Sequence, residues 1–117
     1  MDVEISVEQH GTATVVALTG RLDVVTSDDV ERRLDELIAR GSRHIVVDAT
    51  GVPYISSAGL KAMLHAQKAA QIHAGTLRVV TANEFVTQVL RTTGFSRLVP
   101  TFATLPEALA APAAQPG

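Results

Sequence analysis

A chain of 117 residues with 46% hydrophobic content and a net charge of -2 is one ordinary domain that buries a single core, and it lacks the basic footprint of a DNA or RNA binder. Aromatic residues at 3% leave no stacking platform for single strands, and the absence of cysteine excludes disulfides and thiolate metal sites. No apolar run approaches the ~20 residues that span a bilayer, and Met1-Asp2-Val3-Glu4 lacks the basic-then-apolar order of a signal peptide, so a cytoplasmic protein without membrane or nucleic-acid contacts is expected.

Val3 to His10 alternates apolar and polar residues, the mark of a half-buried strand. Gly11-Thr12 is a turn, and Ala13 to Thr19 reads as the hairpin partner. Gly20-Arg21-Leu22-Asp23 leaves the sheet. Thr26 or Ser27 can cap the helix that follows: Thr26-x-x-Asp29 fits a capping box, and Asp28, Asp29 and Glu31 suit the helix dipole. Val30, Leu34, Leu37 and Ile38 form its apolar stripe, and Arg40-Gly41 its stop.

His44 to Asp48 is a short, almost wholly apolar strand, as in a sheet covered by helices. A second helix opens near Ser57 and runs to about His73, with Leu60, Met63, Leu64, Ala66 and Ala70 inward and Gly75 beyond its end. Leu77 to Thr81 is another buried strand. Asn83 can cap a third helix, with Val86, Val89 and Leu90 inward and Gly94 as its stop. Leu98 to Phe102 reads as a weak edge strand, and Thr104-Leu105-Pro106-Glu107 has the form of a capping box opening a short helix to about Ala111. Residues 112–117 carry no periodicity and are expected to be a disordered tail. Strands alternating with helices predict one α/β domain with a mainly parallel sheet.

The chemistry concentrates at Ser56 and Ser57, where a strand, a loop and a helix opening meet. Both could be no more than a helix cap. Asp23 could be a turn residue, Leu60 a core residue, Asp48 a group bonding local amides, and Gly59 a packing position. A serine between strand and helix suggests a hydrolase elbow, but G-x-S-x-G is required there and Ile55 occupies the first glycine's place. No P-loop or G-x-G-x-x-G appears, and His10, His44, His65 and His73 lack ligand spacing. No enzymatic activity, cofactor or metal is expected.

The arrangement Asp48-x-Thr50-x-Val52, then Ser57-Ala58-Gly59-Leu60 opening a helix, resembles the STAS domain, and more narrowly the bacterial anti-sigma factor antagonists, or anti-anti-sigma factors. Gly20-x-Leu22-Asp23 and Thr92-Thr93-Gly94-Phe95 also match, so the resemblance covers nearly the whole chain. It implies a single STAS-type domain over residues 1–111, a mainly parallel mixed β-sheet with an N-terminal hairpin, packed against α-helices. It also implies a partner, an anti-sigma factor that is itself a serine kinase, which uses ATP to phosphorylate the antagonist and thereby breaks the complex. A phosphatase would reset the protein. The matching serine is Ser57, with Ser56 as the alternative hydroxyl, and the implied partner contacts are Asp23, Ser56, Ala58, Gly59 and Leu60. Ser56 stands where the family often has an acidic residue and Arg21 where it often has Glu, so negative charge is lost from that surface. The alternative within the resemblance is a non-switching interaction or sensory STAS domain of a signalling scaffold or transporter complex.

The switch has a physical logic. Phosphate at a helix N-terminus meets unpaired amides and the positive end of the dipole, so the domain stays folded. Its effect falls on the partner, whose contact with a neutral hydroxyl would now have to desolvate a dianion.

Overall fold

The computed structural model describes residues 3–111. Strand β1 (Glu4–His10) turns at Gly11, where φ is +62, and returns antiparallel as β2 (Ala13–Thr19), pairing Ile5 with Leu18 and Val7 with Val16. A left-handed backbone at that turn suits a residue without a Cβ. β3 (His44–Gly51), β4 (Thr76–Val80) and β5 (Thr101–Phe102) add in parallel, completing a five-stranded sheet in the order β1-β2-β3-β4-β5. Parallel neighbours need crossovers. These are α1 (Val24–Ala39), α2 (Ser57–Ile72), and α3 (Glu84–Thr92) followed by the single turn α4 (Phe95–Leu98); α5 (Leu105–Ala110) ends the described chain.

The two-residue strand period divides the apolar residues between two layers. Val16, Leu18, Ile45, Val47, Leu77 and Val79 pack beneath α1 to α4 in one continuous core. Val15, Val46 and Val80 turn to the other face, where Ala108 of α5 meets them. On the helical side the predicted stripes lie inward: Val30, Leu34 and Ile38 from α1, Leu60, Met63, Ala66 and Ala70 from α2, Val86 and Leu90 from α3, with Leu37, Leu64 and Val89 half-buried. Each fully buried leucine or valine contributes about 1.5–3 kcal/mol relative to exposure. Among the described residues, no helix is long and apolar enough to cross a membrane.

The mixed sheet with its N-terminal hairpin is as expected; several boundaries differ. The first helix begins a turn earlier than the Thr26 or Ser27 cap implies. Asp23 is its N-cap, and Thr26 and Ser27 are buried inside the first turns. The Asp23 carboxylate accepts the amides of Val25 at 3.0 Å and Thr26 at 2.9 Å, and the Thr26 hydroxyl accepts the Asp23 amide at 3.0 Å. Asp28 and Asp29 therefore lie beyond the first turn, and Asp29 pairs with Arg32 at 2.7 Å instead. β3 continues past Asp48 to Gly51, because its pairing with β2 resumes at Thr19 after an irregularity. Leu98 is not in a strand. Gly94, at φ +80, starts the short turn α4, which buries Phe95 and leaves Leu98 exposed, and β5 is reduced to the pairs Val79–Thr101 and Val80–Phe102. The predicted tail at 112–117 lies outside the described residues.

The Thr26 amide donating to Asp23, with the Thr26 hydroxyl and the Val25 amide beside it, holds this carboxyl below the ordinary 3.8. A depressed folded-state pKa stabilises the fold above the ordinary value, and that contribution is lost as pH falls through the lower folded value. Thermal melts of the wild type and Asp23→Asn should therefore show the wild type melting higher at neutral pH. The gap should close as pH drops below 3.8.

Candidate functional site

The corner at Ser57 is assembled by a backbone clip between two loops distant in sequence. Leu22, after β2, and Ile55, after β3, form an isolated parallel bridge. The Leu22 amide donates to the Tyr54 carbonyl at 3.0 Å, and the Ser56 amide donates to the Leu22 carbonyl at 2.8 Å. Both bridge side chains are buried, at 1% and 4% exposure. The clip sets the mouth of α1, beginning after Asp23, beside the mouth of α2, beginning after Ser56.

The two serines have different tasks. Ser56 is extended (φ -91, ψ 172), caps α2 through its Oγ, which accepts the Gly59 amide at 3.3 Å, and offers its carbonyl to the Leu60 amide at 3.1 Å. Ser57 is the first residue of the helix and is exposed, and its hydroxyl has no hydrogen-bond partner among the described residues. The amides of Ser57 and Ala58 also lack acceptors there. A free hydroxyl thus stands over two free donors at the positive end of a 16-residue helix.

Of the other expected contacts, Asp23 and Ala58 are partly exposed, whereas Gly59 and Leu60 turn inward. Gly59 is the point where α2 presses on the clip: a Cβ there would lie 2.8 Å from Ile55 Cγ1 and 3.1 Å from Leu22 Cβ. Asp48 accepts the Thr50 amide and hydroxyl at 3.1 and 2.8 Å, so it serves the local turn. His65 sits 3.2 Å from Glu31 across α1 and α2, and the described residues hold no cluster of metal-binding side chains.

Beyond Arg21, sequence reasoning passed over the surface that surrounds this corner. The Arg21 guanidinium lies 4.3 Å from the Tyr54 ring centre, and Tyr54 stacks on Phe85 at 5.9 Å and 15°. Phe85 is 51% exposed, and Val24 and Val25 in the first turn of α1 are 71% and 76% exposed. Arg21, Tyr54, Val24, Val25 and Phe85 sit on the three loop-to-helix junctions at the carboxyl end of β2, β3 and β4. One signal was available: Val24 and Val25 fall off the stripe of Val30, Leu34 and Ile38, so α1 cannot bury them. Val24, Val25 and Phe85 are thus large apolar side chains left exposed on these junctions.

Gly59→Ala tests the contact beneath the corner. It should cost about 1–3 kcal/mol in urea unfolding, through overpacking against Ile55 and Leu22.

Comparison with known proteins agrees with this architecture. The STAS domain family model matches residues 4–108. The chain is 31% identical over 103 residues to an anti-sigma F factor antagonist from Paenibacillus polymyxa, covering 87% of this chain and 88% of that protein. The crystal structure of an anti-sigma factor antagonist from Mycobacterium paratuberculosis superposes with a TM-score of 0.84 at 26% identity, covering 92% and 91% of the two chains. The same fold occurs in the anti-sigma factor antagonist SpoIIAA, unphosphorylated (TM-score 0.77, 19% identity, 91% and 93% coverage) and phosphorylated (0.69, 18%, 91% and 96%). The Ser57 corner, clipped to the loop before α1, is thus carried on a fold shared with these regulators, and the chain belongs to the STAS domain family, among its anti-sigma factor antagonists.

Proposed function

We propose that this protein binds an anti-sigma factor serine kinase, so freeing a sigma factor, and that phosphorylation of Ser57 by that kinase ends the complex. The observation that carries this reading is the division of labour between the serines: Ser56 is engaged as a cap, and Ser57 offers an exposed, unbonded hydroxyl at the helix mouth. The phosphorylated form of SpoIIAA supports it, since that protein bears the modification on the same fold.

Phosphorylation would attach a phosphoryl group from ATP to Ser57 Oγ, with loss of the hydroxyl proton and release of ADP. The resulting charge of about -2 sits beside the free amides of Ser57 and Ala58 and one helical turn from Lys61, so α2 tolerates it. The partner does not. Burying an uncompensated dianion costs several kcal/mol, and each ~1.4 kcal/mol is tenfold in affinity. The neighbouring Asp23 carboxylate, ionised at neutral pH, adds repulsion. Docking energy would come from Val24, Val25 and the Arg21–Tyr54–Phe85 stack, with Ser56 and Ala58 at the centre and Gly59 and Leu60 shaping the surface from below. A phosphatase acting on the exposed phosphoserine would restore binding.

Incubation with the cognate kinase and ATP should place phosphate on Ser57, read by mass spectrometry. Ser57→Ala should still bind the kinase, and Ser57→Asp should bind at least about tenfold more weakly. Binding indifferent to both substitutions would leave an interaction module without a switch. Val24→Glu separates docking from folding. A carboxylate in the first turn of α1 suits the helix dipole, so the melting temperature should hold or rise, while loss of an exposed apolar contact should weaken kinase binding about tenfold.

A further inference from the structure

The two edges of the sheet are unlike. β5 ends one side with two residues, too short to offer a ladder. β1 ends the other with seven, pairs with β2 without a break in register, and carries no proline or glycine. Edges of that length are ordinarily blunted by a bulge, a proline or repelling charge. Here the strand lies open, with Glu4, Ser6, Glu8, Gln9 and His10 all exposed.

The turn decides which backbone groups face outward. The two-residue loop Gly11-Thr12 closes on the pair His10–Ala13, and the hydrogen bond across such a turn makes that pair a bonded one. Bonded and non-bonded pairs alternate along an antiparallel ladder. The amides and carbonyls of His10, Glu8, Ser6 and Glu4 therefore point to β2, and those of Gln9, Val7 and Ile5 point away from the sheet. Side chains alternate between the faces. Ile5 and Val7 lie half-buried against the rim of the helix-covered core, and Glu4, Ser6, Glu8 and His10 stand on the opposite face.

This strand is complementary to itself in one register. Two copies run antiparallel about Val7 set Val7 against Val7 and Ile5 against Gln9, so each outward amide meets an outward carbonyl. Glu4 then stands opposite His10 and Ser6 opposite Glu8, a carboxylate facing an N–H or O–H donor in each case. Moving the centre one residue, to Ser6 or Glu8, sets Glu4 against Glu8 or Glu8 against itself. Like charges directly opposite are destabilising, and moving the centre further shortens the ladder.

We propose that β1 is a self-association edge, at which two copies of this chain join their five-stranded sheets into one continuous sheet centred on Val7. The two-fold axis stands perpendicular to the sheet, so the helices of both copies share a side and the two Val7 side chains cover one another. A seam one strand wide belongs to the weak, reversible class of contact. β1 contributes no residue to the Ser57 corner, so this inference stands apart from the reading of that site.

Sedimentation equilibrium of the full chain from about 1 μM to about 1 mM should show a reversible monomer–dimer equilibrium, with its midpoint above about 10 μM. Over the same range, hydrogen exchange at the Ile5, Val7 and Gln9 amides should slow as concentration rises, while the Ser6 and Glu8 amides, already bonded to β2, stay protected throughout. His10→Glu opposes two carboxylates across the seam and should weaken the dimer about fivefold, whereas His10→Lys should tighten it by a similar factor. Adding Glu4→Lys to His10→Glu should restore the wild-type affinity. Glu4 and His10 lie about 20 Å apart along one strand, so a rescue can only act between copies. Both positions are exposed, and circular dichroism melts of the variants should match the wild type within a few degrees. A chain that stays monomeric up to about 1 mM overturns the proposal. A dimer that leaves exchange at Ile5, Val7 and Gln9 untouched overturns β1 as its seam, and one indifferent to His10→Glu, or not rescued by Glu4→Lys, overturns the register.

Discussion

Everything at the working end of this protein depends on two hydrogen bonds through Leu22. Its amide and carbonyl clasp the backbone on either side of Ile55, joining the exit of β2 to the exit of β3. The clasp is dry, because both side chains are buried and Gly59 lets α2 approach to contact distance behind them. Backbone bonds shielded from water hold their geometry against competition from solvent. Two helix mouths that would otherwise move as separate loops are therefore held as one surface.

The clasp also distributes the local chemistry. By taking the Ser56 amide it holds Ser56 extended, the conformation of an N-cap, and Ser56 then satisfies the Gly59 amide. Ser57 is left as the first helical residue, its hydroxyl without a hydrogen-bond partner among the described residues. By the same geometry Asp23 follows directly after the bridge and caps α1, which places an ionised carboxylate near the free hydroxyl.

Around the corner the composition is apolar and aromatic, with charge held to its margins. Arg21 is drawn over Tyr54, and Tyr54 over Phe85, so the cation lies against a flat apolar stack. An exposed cation–π contact is worth about 0.5–1 kcal/mol, so this stack favours one arrangement of its side chains over others.

The layered α/β fold and the serine corner were legible in the sequence because each is written in residues a few positions apart. Strand alternation in Val3 to His10, the stripe Val30, Leu34 and Ile38, and the caps at Asn83 and Thr104 all act over one or two turns, and all stand as expected. Where two local solutions were equally good, the sequence could not choose. Asp23-x-x-Thr26 and Thr26-x-x-Asp29 both make a capping box, and Ser56 and Ser57 both stand at a helix mouth. Contacts between residues more than thirty positions apart made the choice, by bonding Leu22 to the segment around Ile55. The aromatic stack and the shortening of β5 were likewise invisible in the chain order, since each is created by side chains or strand exits that meet only when the sheet has formed.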